Sequence, residues 1–270
     1  MTDLNNAVIL VTGATGGFGR EMTRQFLDEG SRLLLTDIDA AALDSLTGEF
    51  QTGDGRILHS VAADLADEAG CHMLFDVMQA TSLNPDILIN NAGIGVGGRF
   101  DHVPLDRWEQ VLQLNLLAPM RISYLFLPQM IERGSGHIVN ISSLAGWVGA
   151  SGMASYSATK FGLRGFADSL ASDYEEFGIR LSTVYPSFSR TPILDSEQFG
   201  YEERHEVPDE LISDPADVVA AILKGVKNNT RDIFPDKTSR RVHYLKRFMP
   251  WTIPVISRRM RQQMQVKTAP

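Results

Sequence analysis

Cysteine is almost missing: the 270 residues contain one, Cys71. A single thiol excludes a disulfide within the chain and cysteine-clustered zinc or iron–sulfur centres, and it fits a reducing cytoplasm. The histidines, His59, His72, His102, His137, His205 and His243, are dispersed and show no metal-ligand spacing. Long hydrophobic runs are absent too, and nothing approaches the ~18 consecutive apolar residues of a membrane-spanning helix. The first apolar run, Ala7–Val11, follows an acidic, polar stretch and is shorter than a signal-peptide core. Near the C-terminus, Phe248–Ile256 is interrupted by Pro250, Thr252 and Pro254. A cytoplasmic location is the expectation. The 23 Gly and 12 Pro are scattered, which excludes collagen-like and low-complexity chains.

What is present is the balance of a globular protein, 43% apolar and 21% charged. The length suits one large α/β domain with a sizeable core. The net charge of −8 argues against nucleic acid as a partner. That figure hides a split. Residues 1–230 carry 15 Lys+Arg against 31 Asp+Glu, net −16, whereas residues 231–270 carry 10 against 2, net +8. The chain thus reads as an acidic body, 1–230, with a basic extension, 231–270.

Apolar runs alternate with amphipathic stretches. Strands are expected at Ala7–Thr12, Arg32–Thr36, Arg56–Ala62, Ile87–Asn90, His137–Ser142 and Arg180–Val184. Helices are expected at Phe18–Glu29, Ala40–Glu49, Glu68–Ala80, Leu105–Glu132 (bent near Pro119 and Pro128) and Ser155–Phe177. This alternation implies a doubly wound parallel sheet covered on both faces, a three-layer α/β/α single domain. Ser187–Asp214 differs: it is polar, rich in charge and without a sustained apolar period. Such long connections often form lids over sites, and a lid is the reading adopted; a solvated surface excursion is the alternative.

The first strand meets the first helix through Thr12-Gly13-Ala14-Thr15-Gly16-Gly17-Phe18-Gly19. Glycines there permit a tight turn and let backbone approach a phosphate, while the helix N-terminus directs free N–H groups at a pyrophosphate. Asp37 ends the next strand, eighteen residues beyond Gly19. A carboxylate at that place accepts hydrogen bonds from the adenosine-ribose hydroxyls and repels a 2′-phosphate. No Arg or Lys compensates at Thr36 or Ile38, nor at Gly16, so NAD is expected over NADP. The alternative for Asp37 is a helix-entry residue, a capping role for which Asp39 competes. Asp64 and Leu65 follow the third strand, where a carboxylate and an apolar group suit an adenine edge and face. Asn91, Ala92 and Gly93 follow the fourth, small enough to let the chain pass close to a cofactor.

Tyr156 and Lys160 stand four apart, on one face of a helix. A free phenol has a pKa of ~10, and a neighbouring ammonium lowers it toward a useful acid/base. Ser143, after the fifth expected strand, can bond to a substrate oxygen at the same end of the sheet. Each signal is weak alone.

Together, in this order and spacing, they resemble the short-chain dehydrogenase/reductase family of Rossmann-type oxidoreductases, over roughly residues 5–192. The carrying residues are Thr12–Gly19, Asp37, Asp64, Asn90–Gly93, Asn115, Ser143, Tyr156, Lys160, Pro186 and Thr191. The resemblance implies that Tyr156 is the general acid/base, that Ser143 polarises the substrate oxygen, and that Lys160 binds the nicotinamide ribose. It also implies that Asn115 holds a relay water and that Thr191 contacts the carboxamide. The implied reaction is hydride transfer between NAD(H) and a secondary alcohol or ketone. A homodimer or homotetramer built on the two long helices is implied by resemblance only. The sequence departs from the family at Ser187, where Gly usually follows the proline.

Leu144, Trp147, Val148, Met153, Tyr185 and Phe188 flank the chemistry and suggest an apolar substrate pocket, Trp147 being either core or pocket wall. Cys71 reads as a packing residue. The tail places Arg240, Arg241, Lys246, Arg247, Arg258, Arg259 and Arg261 among Val242, Tyr244, Leu245, Phe248, Met249, Trp251 and Ile253. It suits an anionic membrane surface, or docking on the acidic body or a neighbouring subunit, the reading given more weight because the body is so acidic. The rival to an enzyme is a non-catalytic cofactor-sensing or membrane-surface protein on the same fold, which has no need for all four of Asn115, Ser143, Tyr156 and Lys160.

Overall fold

Runs of apolar side chains lie at the centre of the molecule because parallel strands are buried on both faces. In β1 (Val8–Thr12) every residue is buried, and in β2 (Arg32–Asp37) the four central ones are. The structure, a computed structural model, describes residues 1–50, 56–202 and 206–263, the last five in backbone only. Three residues of the expected lid, Glu203 to His205, and the side chains of Arg259 and Arg261 lie outside the described residues.

The elements follow as α1 (Gly17–Asp28), α2 (Ala40–Phe50), β3 (Ile57–Ala62), α3 (Glu68–Ala80), β4 (Ile87–Asn90) and the two-residue β5 (Gly97–Gly98). Then come α4 (Leu105–Leu112), α5 (Ala118–Arg133), β6 (Gly136–Ile141), α6 (Ala154–Tyr174), β7 (Ile179–Val184) and β8 (Gln198–Phe199). The chain closes with α7 (Pro215–Lys227), β9 (Asp232–Ile233), α8 (Lys237–Phe248) and α9 (Ile253–Gln263). Seven strands form a sheet in the order β3-β2-β1-β4-β6-β7-β9, every pair parallel. One apolar cluster packs α1, α2 and α7 on one face, and another packs α3, α5 and part of α6 on the other. Strand order reverses between β1 and β4, which opens a crevice at their C-terminal ends. Among the described residues, no helix is long and apolar enough to cross a membrane.

Two differences from the expected elements have clear causes. The stretch 105–132 is not one helix bent at its prolines. It breaks at a π turn, Gln113–Leu117, where the Ala118 N–H donates to the Gln113 carbonyl five residues back. Pro119 has no N–H to offer the Asn115 carbonyl, so α-helical bonding fails there. Pro128 sits inside α5 without ending it. The sheet also continues past residue 230: β9 pairs with β7, inside the stretch assigned to the extension.

His137 on β6 is 2% exposed. Its Nε2 lies 2.8 Å from Ser182 Oγ and its Nδ1 3.3 Å from Thr2 Oγ1. Burial, then the Arg180 charge, lowers its pKa from 6.5 to about 4. The unfolded chain therefore takes up a proton first as pH falls. Stability from neutral His137, about 3 kcal/mol, is fully present above the unfolded value and is lost as pH drops through the folded one. Urea unfolding at a series of pH values tests this: the acid-side slope should be shallower in His137→Gln, and identical slopes would refute it.

Candidate active site

The crevice is braced by side-chain bonds between its two banks. Thr12 Oγ1, 1% exposed, accepts from the N–H groups of Asn91 and Ala92, each at 3.0 Å, and Asn91 Nδ2 donates to the carbonyls of Thr12 and Gly13 at 2.9 and 3.0 Å. The Asn91 amide thus serves as a strut for the glycine loop. Gly13 has φ +64°, and a Cβ there would come within 2.8 Å of Ala92 Cα, so only glycine fits. Gly16 caps α1 with no side-chain partner for the first-turn N–H groups. Those groups form an anion-binding end. Thr191 lies against Gly17 at that same end, with its Cγ2 2.6 Å from where a Cβ would stand. Phe18 turns inward, half-buried on the core.

The two acids after β2 divide the labour that the sequence left open. Asp39 Oδ1 accepts from Ala42 N–H at 3.0 Å and caps α2. Asp37 instead holds the glycine loop: its Oδ2 accepts from Thr15 N–H at 2.9 Å and its Oδ1 from Ile38 N–H at 2.8 Å. Ile38 itself is 66% exposed beside this rim. Asp64 is exposed and accepts from Ala66 N–H. Leu65 follows it with its side chain 3% exposed, packed in the core under α3. Cys71 also packs in that core, its thiol pushed up to about 11 by burial.

At the other bank Tyr156 and Lys160 lie one turn apart on α6, 7% and 4% exposed. Lys160 Nζ donates to the Ile141 carbonyl at 2.8 Å and sits 5.6 Å from the centre of the Tyr156 ring. Ser143 lies close enough to the phenol to lower its pKa, while its Oγ accepts from Ala145 N–H at 3.1 Å. Asn115, fully buried, accepts from Ile94 N–H at 2.9 Å and donates to Ile94 O at 2.8 Å. A Cβ on Gly93 would stand 3.1 Å from Asn115 Oδ1 and 3.6 Å from Lys160 Nζ, so these three converge. Gly146, which the sequence reading passed over, lets the loop after β6 touch the α6 backbone; a Cβ there would meet Lys160 O at 2.6 Å.

Electrostatics here differ from the expected sign. Burial raises the Tyr156 phenol to about 12, outweighing the opposing influence of Ser143, and lowers Lys160 to about 8. The expectation from helical spacing was a phenol lowered by its neighbour. In this dry pocket desolvation acts on both groups and dominates. Tyr156 therefore keeps its proton at neutral pH, as a donor must.

Around Tyr156 the apolar wall comprises Ile94, Val96, Val103, Met153 and Phe199. Met153 was expected. Ile94, Val96 and Phe199 were not, because Phe199 arrives through the pairing of β8 with β5, whose two glycines give no hydropathy signal. That pairing, a bridge between Ser189 and Ser213 and the Arg190–Asp209 ion pair tie the 187–214 segment to the body and to itself. Phe188 is half-buried and outside the cluster around Tyr156. Trp147 and Tyr185 turn to the core, the first of the two readings left open for Trp147. Trp147, 8% exposed, packs edge-on to Tyr185 and Phe234 and beneath the Arg164 guanidinium at 3.9 Å. Tyr185 is fully buried and donates to Asp232 Oδ1 at 3.0 Å. Both belong to the seat of α8, since a place beside Ser143 or at the end of β7 says nothing of which way a ring turns.

Ser187, the family's departure, finds a partner. Its N–H and Oγ both donate to Asp236, to Oδ2 at 2.9 Å and Oδ1 at 2.7 Å. Asp236 is 7% exposed and also caps α8, accepting from Ser239 N–H at 2.8 Å. Beside it, Pro186 O accepts from Leu144 N–H at 2.8 Å, next to Ser143.

The short chain dehydrogenase family model matches residues 7–200. A 3-oxoacyl-[acyl-carrier-protein] reductase of Aquifex aeolicus is 32% identical over 222 residues, 82% of this chain and 90% of that protein. The mouse dehydrogenase/reductase SDR family member 7B is 34% identical over 192 residues, 70% of this chain but 59% of that longer protein. Among solved structures, a short-chain dehydrogenase from Sphingobium yanoikuyae in complex with NADPH superposes with a TM-score of 0.78 at 25% identity, covering 98% of this chain and 97% of that one.

Proposed function

From the premise that this chain belongs to the short-chain dehydrogenase/reductase family of oxidoreductases, we propose that it interconverts a hydrophobic secondary alcohol and its ketone with NAD(H). The observation that carries the reading is the convergence of Ser143, Tyr156 and Lys160 with Gly93 and Asn115 beside the glycine loop. A non-catalytic protein needs no such buried cluster.

The crevice fits a dinucleotide. The uncapped N-terminus of α1 suits a pyrophosphate, and the Asp37 carboxylate at the rim keeps acceptor capacity for ribose hydroxyls beyond its three backbone bonds. A bound nicotinamide supplies or accepts the hydride. The chain's own residues do the rest. Ser143 Oγ holds the substrate oxygen, and Tyr156 Oη gives that oxygen its proton in reduction or takes it in oxidation. Lys160, charged below about pH 8, orients the ribose and stabilises the phenolate left when Tyr156 gives up its proton. Asn115, locked by both of its bonds to Ile94, holds the relay position. The wall of Ile94, Val96, Met153 and Phe199 excludes water and favours an apolar substrate.

NADH formation over a panel of hydrophobic secondary alcohols tests the reaction, and silence across a broad panel despite tight NAD binding refutes it. Cofactor choice is tested separately by titration. NADH should bind at least about tenfold tighter than NADPH, since a 2′-phosphate beside Asp37 places like charges together. Asp37→Ala should narrow that gap. Comparable affinities in the unaltered protein would remove the basis for NAD.

A further inference from the structure

The catalytic reading leaves the outer side of the last two helices unused. From residue 237 to 270 the chain holds nine Lys and Arg and no Asp or Glu. α8 is held from one side only. Its His243 ring packs 4.2 Å from Phe234 and 5.1 Å from Trp147, and Lys246 Nζ donates to the Trp147 carbonyl. On the opposite side Lys237, Arg240, Arg241, Tyr244, Arg247 and Phe248 recur at three- and four-residue spacing, all exposed. Tyr244 and Phe248 are 59% and 64% exposed and their rings stack. The apolar surface continues through Met249, Trp251 and Val255, at 43%, 69% and 52%.

Attraction to the acidic body does not account for this face. Residues 1–230 carry net −16. Yet among the described residues no salt bridge joins a cation of 237–258 to a carboxylate. The helix is seated by aromatic packing, by its cap and by the bonds of Lys246 and Arg240 to backbone carbonyls, which leave the charges of Lys237, Arg240, Arg241 and Arg247 unanswered by any carboxylate among the described residues. An acidic protein face would answer the charges but not the aromatic rings between them. The headgroup zone of an anionic bilayer answers both, with phosphates for Arg and Lys and an apolar boundary for Phe, Tyr and Trp. We propose that the outward face of α8 and the segment through Val255 docks on an anionic lipid surface.

The test uses the full chain and vesicles, of phosphatidylcholine alone or mixed with phosphatidylglycerol, so it needs neither substrate nor cofactor. Co-sedimentation should occur with the anionic vesicles and not the neutral ones, with Trp251 emission shifting to the blue. Arg240→Gln/Arg241→Gln/Arg247→Gln should weaken binding about a hundredfold, each cation near the surface being worth about a factor of five. Phe248→Ser/Trp251→Ser should also weaken it, with thermal melts unchanged because both side chains are exposed. Three results overturn the proposal: no binding to anionic vesicles, binding that survives the triple substitution, or a dimer in solution that the same substitutions dissociate in place of any vesicle effect. The last would assign the face to a second copy of this chain.

Discussion

Tyr156→Phe lowers turnover by about 10³-fold, the size of a lost general acid, while NADH affinity and folding stay close to the original. The phenol carries its proton at neutral pH, with a pKa pushed up to about 12 by burial. Phenylalanine fills the same volume and keeps the ring that lies 5.6 Å from Lys160 Nζ. Ser143 retains its bond from Ala145 N–H, so its Oγ is not stranded. What disappears is the proton at the substrate oxygen. Steady-state rates, a fluorescence titration with NADH and a thermal melt separate the effects. Activity above a tenth of the original would show that the proton comes from elsewhere.

Asp236→Ala destabilises the fold by about 4 kcal/mol and impairs the active site with it. Three bonds converge on this carboxylate, from Ser187 N–H, Ser187 Oγ and Ser239 N–H, and the group is 7% exposed. Bonds to a charged acceptor contribute about 1.5–3 kcal/mol each where the partner is left unpaired, and loss of a helix cap costs about 1. The damage reaches the chemistry because Ser187 follows Pro186, whose carbonyl holds Leu144 beside Ser143. Asp236→Asn should fall between the two proteins, since an amide keeps an acceptor for Ser239 but cannot accept from Ser187 N–H at its nitrogen. Urea unfolding and kcat measured on the three proteins decide it. A loss under about 1 kcal/mol in the alanine variant would mean that water or a neighbour replaces the carboxylate.

The parts legible in the sequence are those specified by neighbours along the chain. The turn from β1 to α1 is written in its glycines, and Tyr156 and Lys160 face the same way because a helix repeats at four residues. The doubly wound sheet followed from the alternation of runs. What stayed hidden depends on partners far away. Trp147 and Tyr185 looked like pocket residues until Arg164, Phe234 and α8 were seen to enclose them. Leu65 sits beside a loop carboxylate in sequence but under α3 in space. β9 is two residues long, Asp232–Ile233, and carries no strand pattern. The apolar stripe of Val218, Val219, Ile222, Leu223 and Val226 in α7 was visible at helical spacing and was not used. The phenol's pKa failed for a different reason: spacing reports which groups are near, while burial decides how strongly water is missed.

The π turn at Gln113–Leu117 gives the length of this chain segment a meaning of its own. A wider turn is, in effect, one residue more than a regular helix would need between two fixed ends. Deleting one residue there would close the wide turn with α4 and α5 still in phase, although Pro119 would still have no N–H to donate. It would also move Asn115, which lies within the turn, and uncouple it from Ile94. The spacing between Val111 and Ala118 is thus constrained through Asn115, the buried amide that the wide turn presents to Ile94.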